Sequence, residues 1–347
     1  MKNVLIVSTP TDAHVQAVEW SLRSAGHNVC VWNTRKALQD DGFAAEFSFS
    51  SPSTLTMHNH VAFDAGWVRR VFKANTFNES TDESDKEFLT SESSFFVDNS
   101  LELMSRKPMF WLSDFPKTLR AEYKFNQLDA CQILGIRFPE TLVTNSPKRI
   151  RAFCERQGKV AVKPINVYTW EESDGGQLMS YTNTLTTDQM SRISDEELLM
   201  CPAIYQEYVD KKLELRVVCV GSEVFTCAIE NPNTECIDFR LYQTDGSLKK
   251  YYFETPDTVR LAILQLCDFF GLQLASSDFC IDYSGNIYFL DLNPGGAFLF
   301  VEACSEGKNR IVAKIASLLT SGNADDFPSL TEFLAYEQER VKDSVAV

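Results

Sequence analysis

The sequence lacks the short motifs that mark several large classes of enzyme. No two of its ten cysteines are spaced as Cys-x-x-Cys, which argues against a zinc ribbon and a thioredoxin-like redox site. The dinucleotide fingerprint GxGxxG, the hydrolase motif GxSxG and the P-loop motif are all missing. The four histidines lie within the first sixty residues, and His58-Asn-His60 is interpreted as a polar loop rather than a metal site. Classical nucleophilic catalysis assisted by histidine therefore finds no support.

Long apolar runs and positive charge are also scarce. No segment approaches the roughly 20 apolar residues of a membrane span, and the apolar run near the N-terminus is too short for a signal peptide. The formal net charge of −15 argues against a nucleic-acid partner, so any phosphate site must be a local cationic pocket. Cysteines in apolar, strand-like runs, such as Cys219, Cys227 and Cys280, predict buried, reduced thiols and a cytoplasmic location.

The length and composition indicate an α/β protein of more than one lobe. The chain has 347 residues, of which 44% are hydrophobic and 23% charged, and this is typical of a globular protein with two or three lobes. It opens with a β-α-β pattern, and residues 75–94, rich in Ser, Thr, Asp and Glu, predict an exposed acidic insertion. We expect an N-terminal domain at 1–117, a small central α+β lobe at 118–210, a C-terminal lobe with an antiparallel sheet at 211–322 and an acidic tail at 323–347.

The most informative segment is a predicted β-hairpin in the C-terminal lobe. A two-residue turn at Ser284-Gly285 would place Asp278 opposite Asp291, with Asn293 on the same face because strand side chains alternate. Two carboxylates and an amide oxygen on one face are hard ligands of the kind that Mg²⁺ prefers beside substrate phosphates. The alternative is a solvated polar face of a sheet. A three-residue turn would shift the register by one residue and separate the two carboxylates.

Two lysines are candidates for holding an anion near that hairpin. Lys163 ends the apolar run Val160-Ala-Val, and burying a lysine is costly unless it meets an anion. Lys124 begins an amphipathic helix and could reach the same phosphates. An exposed strand end and an ordinary surface lysine are the alternatives. Together with the hairpin, the lysines predict a site for ATP and Mg²⁺.

A short segment between the two lobes is the candidate site for the base and sugar of the nucleotide. Gln206, Glu207, Tyr208 and Val209 follow a strand-like run and could form a hinge whose backbone pairs with the adenine edge. Glu214 lies seven residues beyond Glu207, where a carboxylate could accept hydrogen bonds from ribose hydroxyls. Glutamates are common at strand edges, so the spacing alone is only suggestive.

Two arginines are the candidates for the catalytic step. Arg216 lies in an apolar strand, and Arg240 follows in Asp238-Phe-Arg. Their forked donors suit phosphate and carboxylate oxygens, and they could stabilise the charge of a phosphoryl group in transfer. A pair of structural salt bridges is the alternative. The loop from Tyr168 to Gly176 is a candidate lid, or a plain surface loop.

Taken in order, these segments resemble the ATP-grasp superfamily, over roughly residues 118 to 320. The resemblance implies an ATP-grasp fold preceded by a pre-ATP-grasp β-α-β domain. It also implies that Lys124 and Lys163 hold the phosphates, that 206–209 line the adenine and Glu214 the ribose. The Mg²⁺ ions would then be bound by Asp278, Asp291 and Asn293.

A narrower resemblance covers most of the chain, to the ring-forming ATP-grasp ligases of microviridin-type peptides, the graspetide synthetases. It is carried by Trp67-Val-Arg-Arg70, Phe110-Trp-Leu112, the Lys124-led helix with 135–144, and 292–302. Asp238-Phe-Arg240 resembles instead the DFR segment of the ribosomal-protein glutamate ligases, where the arginine faces the transferring phosphate. The graspetide resemblance implies that an Asp or Glu side chain of a ribosomal precursor peptide is phosphorylated by ATP and captured by a Ser or Thr hydroxyl or a Lys amine, which closes an ω-ester or ω-amide ring. The chain departs from that pattern at Asp291, where a glutamate is usual, at Gly296-Ala-Phe298 and at Val71.

Two other functions are compatible with these segments. A ligase joining a free amino acid or short peptide to a carboxylate substrate is the first alternative, and a non-catalytic ATP-grasp-like binding module is the second.

We expect leader-peptide binding on the first lobe and the 75–94 insertion. No membrane partner is expected, and the sequence leaves the oligomeric state open, with a homodimer as one alternative. Asp282 is an undecided further metal ligand.

Overall fold

The first lobe is built on a parallel sheet, as the β-α-β pattern predicts. A computed structural model of the chain describes residues 1–36, 43–57, 62–72, 81–166, 169–171, 177–230 and 248–345. The lobe contains β1 (Asn3–Val7), α1 (Ala13–Ser24), β2 (Asn28–Trp32), β3 (Phe43–Ser48), β4 (Ser51–Met57), β5 (Ala65–Val68), α2 (Glu83–Ser105) and β6 (Phe110–Ser113). Its main sheet has the order β2-β1-β5-β6 with parallel neighbours, and β3 and β4 form a separate antiparallel pair.

Helix α1 shows how the local sequence produces an element of this lobe. The Asp12 carboxylate accepts hydrogen bonds from the backbone N–H groups of His14 and Val15 and thereby caps the helix. Val15, Val18 and Leu22 recur at helical spacing on the buried face. The helix therefore starts where the β1 strand ends and packs its apolar stripe on the sheet.

Helix α2 corrects the prediction for part of the proposed insertion. The sequence predicts an exposed insertion over 75–94, but the helix begins at Glu83, so residues 83–94 belong to a regular helix. Acidic residues in the first turn, Glu83 and Asp85, favour this start because they face the positive end of the helix dipole. Most side chains from 83 to 92 are exposed or half-buried, as expected for an acidic surface. Residues 75–80 lie outside the described residues.

The central lobe consists of a four-stranded antiparallel sheet with helices on it. Its elements are α3 (Phe115–Glu122), α4 (Lys124–Leu134), β7 (Thr141–Thr144), α5 (Pro147–Gln157), β8 (Lys159–Lys163), β9 (Thr169–Glu171), β10 (Gln177–Met179), β11 (Asn183–Thr186), α6 (Thr187–Ser191), α7 (Asp195–Met200) and β12 (Ala203–Glu207). The sheet order is β11-β8-β12-β7, and β9 pairs with β10. Strand β8 therefore lies inside the sheet and presents Lys163 at its end.

The C-terminal lobe is a five-stranded antiparallel sheet covered by helices. It contains β13 (Lys211–Val220), β14 (Glu223–Glu230), β15 (Lys249–Tyr252), α8 (Asp257–Phe270), β16 (Leu274–Asp282), β17 (Ile287–Asn293), α9 (Leu299–Ala303), α10 (Ile311–Thr320) and α11 (Leu330–Val345). The order β15-β14-β13-β16-β17 places β16 between β13 and β17. Among the described residues, no helix combines the length and the apolar composition needed to cross a bilayer.

The first and C-terminal lobes share one hydrophobic core. Residues of β1 and α1 pack in the same cluster as Val218 and Leu274 of the C-terminal sheet, together with most of α10. The acidic tail packs on this core, because Leu330 and Phe333 of α11 are buried and Tyr336 stacks on Trp20. This shared core holds the edge of the first lobe against the C-terminal sheet.

The hairpin has the predicted pairing at its functional end, although the predicted turn is wrong. Next to the loop the partners are Ile281 and Ile287, which leaves a three-residue turn within an Asp282–Asn286 closing pair. Gly285 at the end of this turn has a φ of 84°, which favours glycine. A β-bulge at Leu290 then restores the register, so that Asp278 pairs with Asp291.

Candidate active site

A cleft of about 250 Å³ lies between the central sheet and the C-terminal sheet. Its walls come from β8, β12, β13, β16, β17 and the start of α4. Every sequence-predicted site residue that the structure describes lines it: Lys124, Lys163, Gln206, Glu207, Tyr208, Val209, Glu214, Arg216, Asp278, Asp291 and Asn293. The structure therefore brings together residues that are up to 169 positions apart in the chain (Lys124 and Asn293, 293 − 124).

The acidic end of the cleft is held in place by backbone contacts of β16 and β17. Asp278 and Asp291 are direct partners across the strands, and Asn293 pairs with Ser276. The Ser277 hydroxyl donates to the backbone O of Asp291 at 2.7 Å. The Asn293 side-chain oxygen accepts from the backbone N of Gly296 at 3.1 Å, which orients the amide at the start of the glycine turn.

Cationic side chains already contact both carboxylates. Arg216 donates from Nε to one oxygen of Asp278 at 2.7 Å and from Nη2 to the other at 3.2 Å, and it also donates to the Ser276 hydroxyl. Lys124 forms an ion pair with Asp291. A bidentate guanidinium–carboxylate pair fixes both partners in direction as well as in distance. The acidic strand pair is thus a place that accepts positive charge.

Lys163 lies deep in the same cleft. Its Nζ donates to the Gln206 side-chain oxygen at 2.6 Å. Burial lowers the pKa of Lys163. The nearby charges of Lys211 and Lys124 lower it as well, whereas the charge of Asp291 raises it. An additional anion in the cleft would therefore favour the charged ammonium form of Lys163. The apolar strand around Lys163 therefore has the property that the sequence analysis expected of a phosphate-binding lysine.

The predicted hinge does connect the two sheets. Glu207 ends β12, β13 begins at Lys211, and Tyr208 and Val209 lie between them. Both the backbone N–H and the side chain of Glu207 are used to bind the Glu140 backbone, at 2.8 Å and 3.1 Å. The ammonium of Lys159 lies 3.7 Å from the centre of the Tyr208 ring. The carboxylate of Glu207 therefore anchors the hinge, and the segment after it faces the cleft.

Three polar residues that line the cleft were not predicted from the sequence: Gln127, Thr182 and Lys211. Lys211 donates to Glu214 at 2.7 Å, which ties the predicted ribose carboxylate to the hinge. Gln127 is buried, donates to the backbone O of Ala121 and Leu292, and accepts from the N of Leu292. This amide fastens α4, and with it Lys124, to strand β17. The spacing of Lys211, three residues before Glu214, could have predicted their ion pair. Nothing in the local sequence distinguishes Gln127 from a surface glutamine.

Some predictions concern residues that fall elsewhere or outside the description. The Asp282 carboxylate accepts from the backbone N of Ser284 and Asn286, so it stabilises the turn and does not line the cleft. Arg240 and Asp238, most of the candidate lid 168–176, and His58-Asn-His60 lie outside the described residues.

The donor set of the cleft fits Mg²⁺ bound together with phosphate. Asp278, Asp291 and Asn293 offer only oxygen atoms, the donors that Mg²⁺ selects, and these oxygens already attract Arg216 and Lys124. Over the described part of the chain, no cluster of three or more His, Cys, Asp or Glu side chains could enclose a metal by itself. The set is therefore incomplete without further oxygens, such as those of a nucleotide.

Comparisons with known proteins identify the fold. No family model matches the chain, and no curated protein matches it by sequence. A Chryseobacterium gregarium RiPP-associated ATP-grasp ligase, solved with ADP and a leader and core peptide, superposes with a TM-score of 0.80 at 23% identity, covering 92% of this chain and 97% of that one. Macrocyclase MdnC of Microcystis aeruginosa, bound with precursor peptide MdnA, gives 0.78 at 22% identity, covering 92% and 100%.

A more distant ligase shares the same architecture. The D-alanyl-alanine synthetase A of Vibrio cholerae O1 superposes with a TM-score of 0.55 at 13% identity, covering 92% of this chain and 98% of that one. The chain therefore has the ATP-grasp fold, as its resemblance to that superfamily predicted.

Proposed function

We propose that the protein is an ATP-dependent ligase that closes rings within a ribosomal precursor peptide. The observation that carries the proposal is the meeting of Lys124 and Lys163 with the Asp278–Asp291–Asn293 strand pair in one cleft. The likeness to the Chryseobacterium ligase and to MdnC supports a peptide substrate, because both were solved with peptides. A cytoplasmic location and a homodimer stay predictions.

In the proposed reaction, an oxygen of an Asp or Glu side chain attacks the γ-phosphorus of ATP. The bond between that phosphorus and the β–γ bridging oxygen breaks, which releases ADP and leaves an acyl phosphate. A Ser or Thr hydroxyl, or a Lys amine, of the same peptide then attacks the acyl carbon. Inorganic phosphate leaves, the nucleophile loses its proton to solvent, and an ω-ester or ω-amide ring remains.

The residues of the cleft supply positioning and charge for the first step. Lys163 and Lys124 are proposed to bind phosphate oxygens, and Glu214 the ribose, while residues 206–209 line the adenine. Arg216, and Arg240 beyond the described residues, are proposed to stabilise the transferring phosphoryl group. Asp278, Asp291 and Asn293 would hold Mg²⁺, which when bound offsets the charge of the triphosphate.

Mass spectrometry of a peptide after incubation with enzyme and ATP tests this function. The probe is a short peptide rich in Asp or Glu and in Thr, Ser or Lys, encoded next to the gene. We expect the loss of one water per ring, matched by one ADP released. A mass gain equal to an added residue would instead indicate the ligation of free amino acids, the chemistry of the Vibrio synthetase. Nucleotide binding without ADP release for any carboxylate substrate would indicate a binding module.

A further inference from the structure

A second polar site lies where the first lobe meets the glycine turn of the C-terminal lobe. We call it the Arg69 cluster: Ser8, Asp12, His14 and Arg69. Ser8 directly follows β1, and Arg69 directly follows β5, which pairs with β1 in parallel. Asp12 and His14 lie at the start of α1. The carboxyl ends of neighbouring parallel strands are where ligands of open α/β sheets bind.

The cluster contains buried polar atoms that find no hydrogen-bond partner. Arg69 is 3% exposed, and its Nε lies 3.6 Å from the Asp12 carboxylate, which is too long for a hydrogen bond. Within the described residues, Arg69 Nε, His14 Nδ1 and Ser8 Oγ are all buried and unpartnered. Most buried polar groups of native proteins are paired, so three such atoms on residues at the ends of neighbouring strands and the start of α1 indicate a place for a ligand.

The cluster borders the proposed metal strand at Gly295. A Cβ atom added to Gly295 would lie 3.0 Å from Arg69 Nη1 and 3.3 Å from the side-chain oxygen of Asn293. The guanidinium and the amide therefore both pack closely against this glycine, and a larger residue would crowd them. The Arg69 cluster is thus adjacent to the acidic end of the nucleotide cleft.

The charge of the cluster favours a single negative charge. Burial lowers the pKa of His14 to about 3 together with the positive charges of Arg69, Arg70 and Arg216, against the opposing effect of Asp12. The ring is therefore neutral at physiological pH. Arg69 is balanced by Asp12, and Glu122 lies near the exposed Arg70, so little excess positive charge surrounds the cluster. A carboxylate, with one negative charge, therefore fits better than a phosphate dianion.

We infer that the Arg69 cluster binds the substrate carboxylate that the enzyme activates, the side chain of an Asp or Glu in the peptide. The inference rests on the proposed function and adds the site from which the carboxylate attacks. The Arg69 guanidinium donates to the carboxylate, and Ser8 and His14 supply the remaining donors. One carboxylate oxygen is then directed past Gly295 toward the phosphates beside Asn293. Asp12 acts as a positioning residue that orients the guanidinium.

Calorimetry on the full chain, with Mg²⁺ and a nonhydrolysable ATP analogue, tests the inference. The probe is N-acetyl-glutamate α-amide, which has one carboxylate, and the comparison ligands are its γ-carboxamide and inorganic phosphate. We expect the acid alone to bind. Arg69→Gln should weaken its binding by about 10- to 100-fold, because a hydrogen bond to a charged group is lost. Arg69→Lys should restore part of the affinity, and Arg106→Gln, at a surface pair with Glu102, should match the wild type.

The outcomes separate this inference from the proposed function and from a structural role. Failure of the wild type to bind the acid, equal binding of the γ-carboxamide, or competition by inorganic phosphate would each overturn the carboxylate assignment. If Arg69 had only a structural role, Arg69→Gln would lower the unfolding temperature and the affinity for the nucleotide analogue as well as the affinity for the acid. Because Arg69→Gln can impair folding, His14→Gln is the second variant, and undiminished binding of the acid in it also counts against the site. Ring closure of a precursor with an unchanged KM in Arg69→Gln would refute the inference while leaving the proposed function intact.

Discussion

The nucleotide cleft and the Arg69 cluster differ in how far their polar groups are already satisfied. In the cleft, Arg216 pairs with Asp278, Lys124 with Asp291 and Lys163 with Gln206. In the cluster, three buried polar atoms lack a hydrogen-bond partner among the described residues. The cleft can thus keep its shape without a ligand, because its charges neutralise one another, and a nucleotide must exchange partners to enter. The cluster gains its full set of hydrogen bonds only with a ligand.

The largest expected effect comes from removing a carboxylate of the cleft. Asp291→Asn should lower the rate of peptide-dependent ADP release by about 100- to 1,000-fold, the usual cost of losing one preorganised electrostatic contact. The matched control is Asp282→Asn, which weakens the turn of the same hairpin but faces away from the cleft. Steady-state kinetics with saturating ATP and Mg²⁺ measure both. Wild-type ADP release by Asp291→Asn would show that the metal role is wrong.

A substitution at Gly295 joins the two regions and should disturb both. A Cβ there would lie 2.9 Å from the backbone O of Arg69, so the turn or β5 must shift. We expect Gly295→Ala to lower turnover by about tenfold or more, because small misplacements at a reacting centre are costly. Gly322→Ala, which meets mainly the flexible ring of Phe327, serves as the control and should affect stability only. If both variants turn over alike, the cleft and the cluster are not coupled through this turn.

Glu302, a buried carboxylate outside both regions, shows what a buried polar group with hydrogen-bond partners contributes to stability. Glu302 is 3% exposed and accepts from the backbone N of Val312 and Leu330, at 2.7 Å and 2.9 Å, which ties α9 to α10 and α11. Glu302→Ala should cost about 2–4 kcal/mol of unfolding free energy, since two buried donors lose their acceptor. Urea denaturation measures it, with Glu339→Ala, at an exposed position of α11, as the control.

The double variant Asp12→Asn, Arg69→Met should cost less unfolding free energy than Glu302→Ala. Replacing both members of the buried ion pair leaves no unpaired charge, while asparagine can still cap α1 and methionine keeps much of the volume of the arginine. The same urea titrations compare the two variants. An equal or larger loss for the double variant would mean that this ion pair holds the fold together rather than waiting for a ligand.

The smallest expected effect is on the chemical reactivity of Cys280, a buried thiol on β16. Burial raises the pKa of Cys280 to about 12, so almost none of it is thiolate at neutral pH and its reactivity rises only in strong alkali. We expect iodoacetamide at pH 8 to modify the exposed Cys201 and to leave Cys280 intact, with or without nucleotide. Peptide mapping by mass spectrometry resolves the sites. Rapid modification of Cys280 would mean that the central sheet separates from β16 in solution.

The sequence sufficed for the cleft because its residues lie in short, patterned segments. Alternation along the hairpin placed Asp278, Asp291 and Asn293 on one face, and the pairing was confirmed. It was confirmed although the turn has three residues, because the bulge at Leu290 compensates, and no local signal announces such a bulge. On the opposite, apolar face of the hairpin, Phe279 and Leu292 are buried as alternation predicts, but the bulge makes Phe289 the buried neighbour of Phe279 in place of Tyr288 or Leu290.

The Arg69 cluster could not be predicted in the same way. Trp67-Val-Arg-Arg70 contributes to a family resemblance, but no local pattern links it to Ser8 or His14. Ser8 and Arg69 follow strands β1 and β5, which are parallel neighbours although one helix and three other described strands lie between them in the chain. Contacts of this kind depend on the tertiary arrangement of strands, which neither spacing nor periodicity reveals.

A crystal structure of the protein with Mg²⁺ and a nonhydrolysable ATP analogue tests the central claim most directly. We predict the triphosphate between Lys124 and Lys163 on one side and the Asp278, Asp291 and Asn293 oxygens on the other, with the metal on those oxygens. A nucleotide bound elsewhere, or bound in the cleft with its phosphates directed away from β16 and β17, would contradict the account.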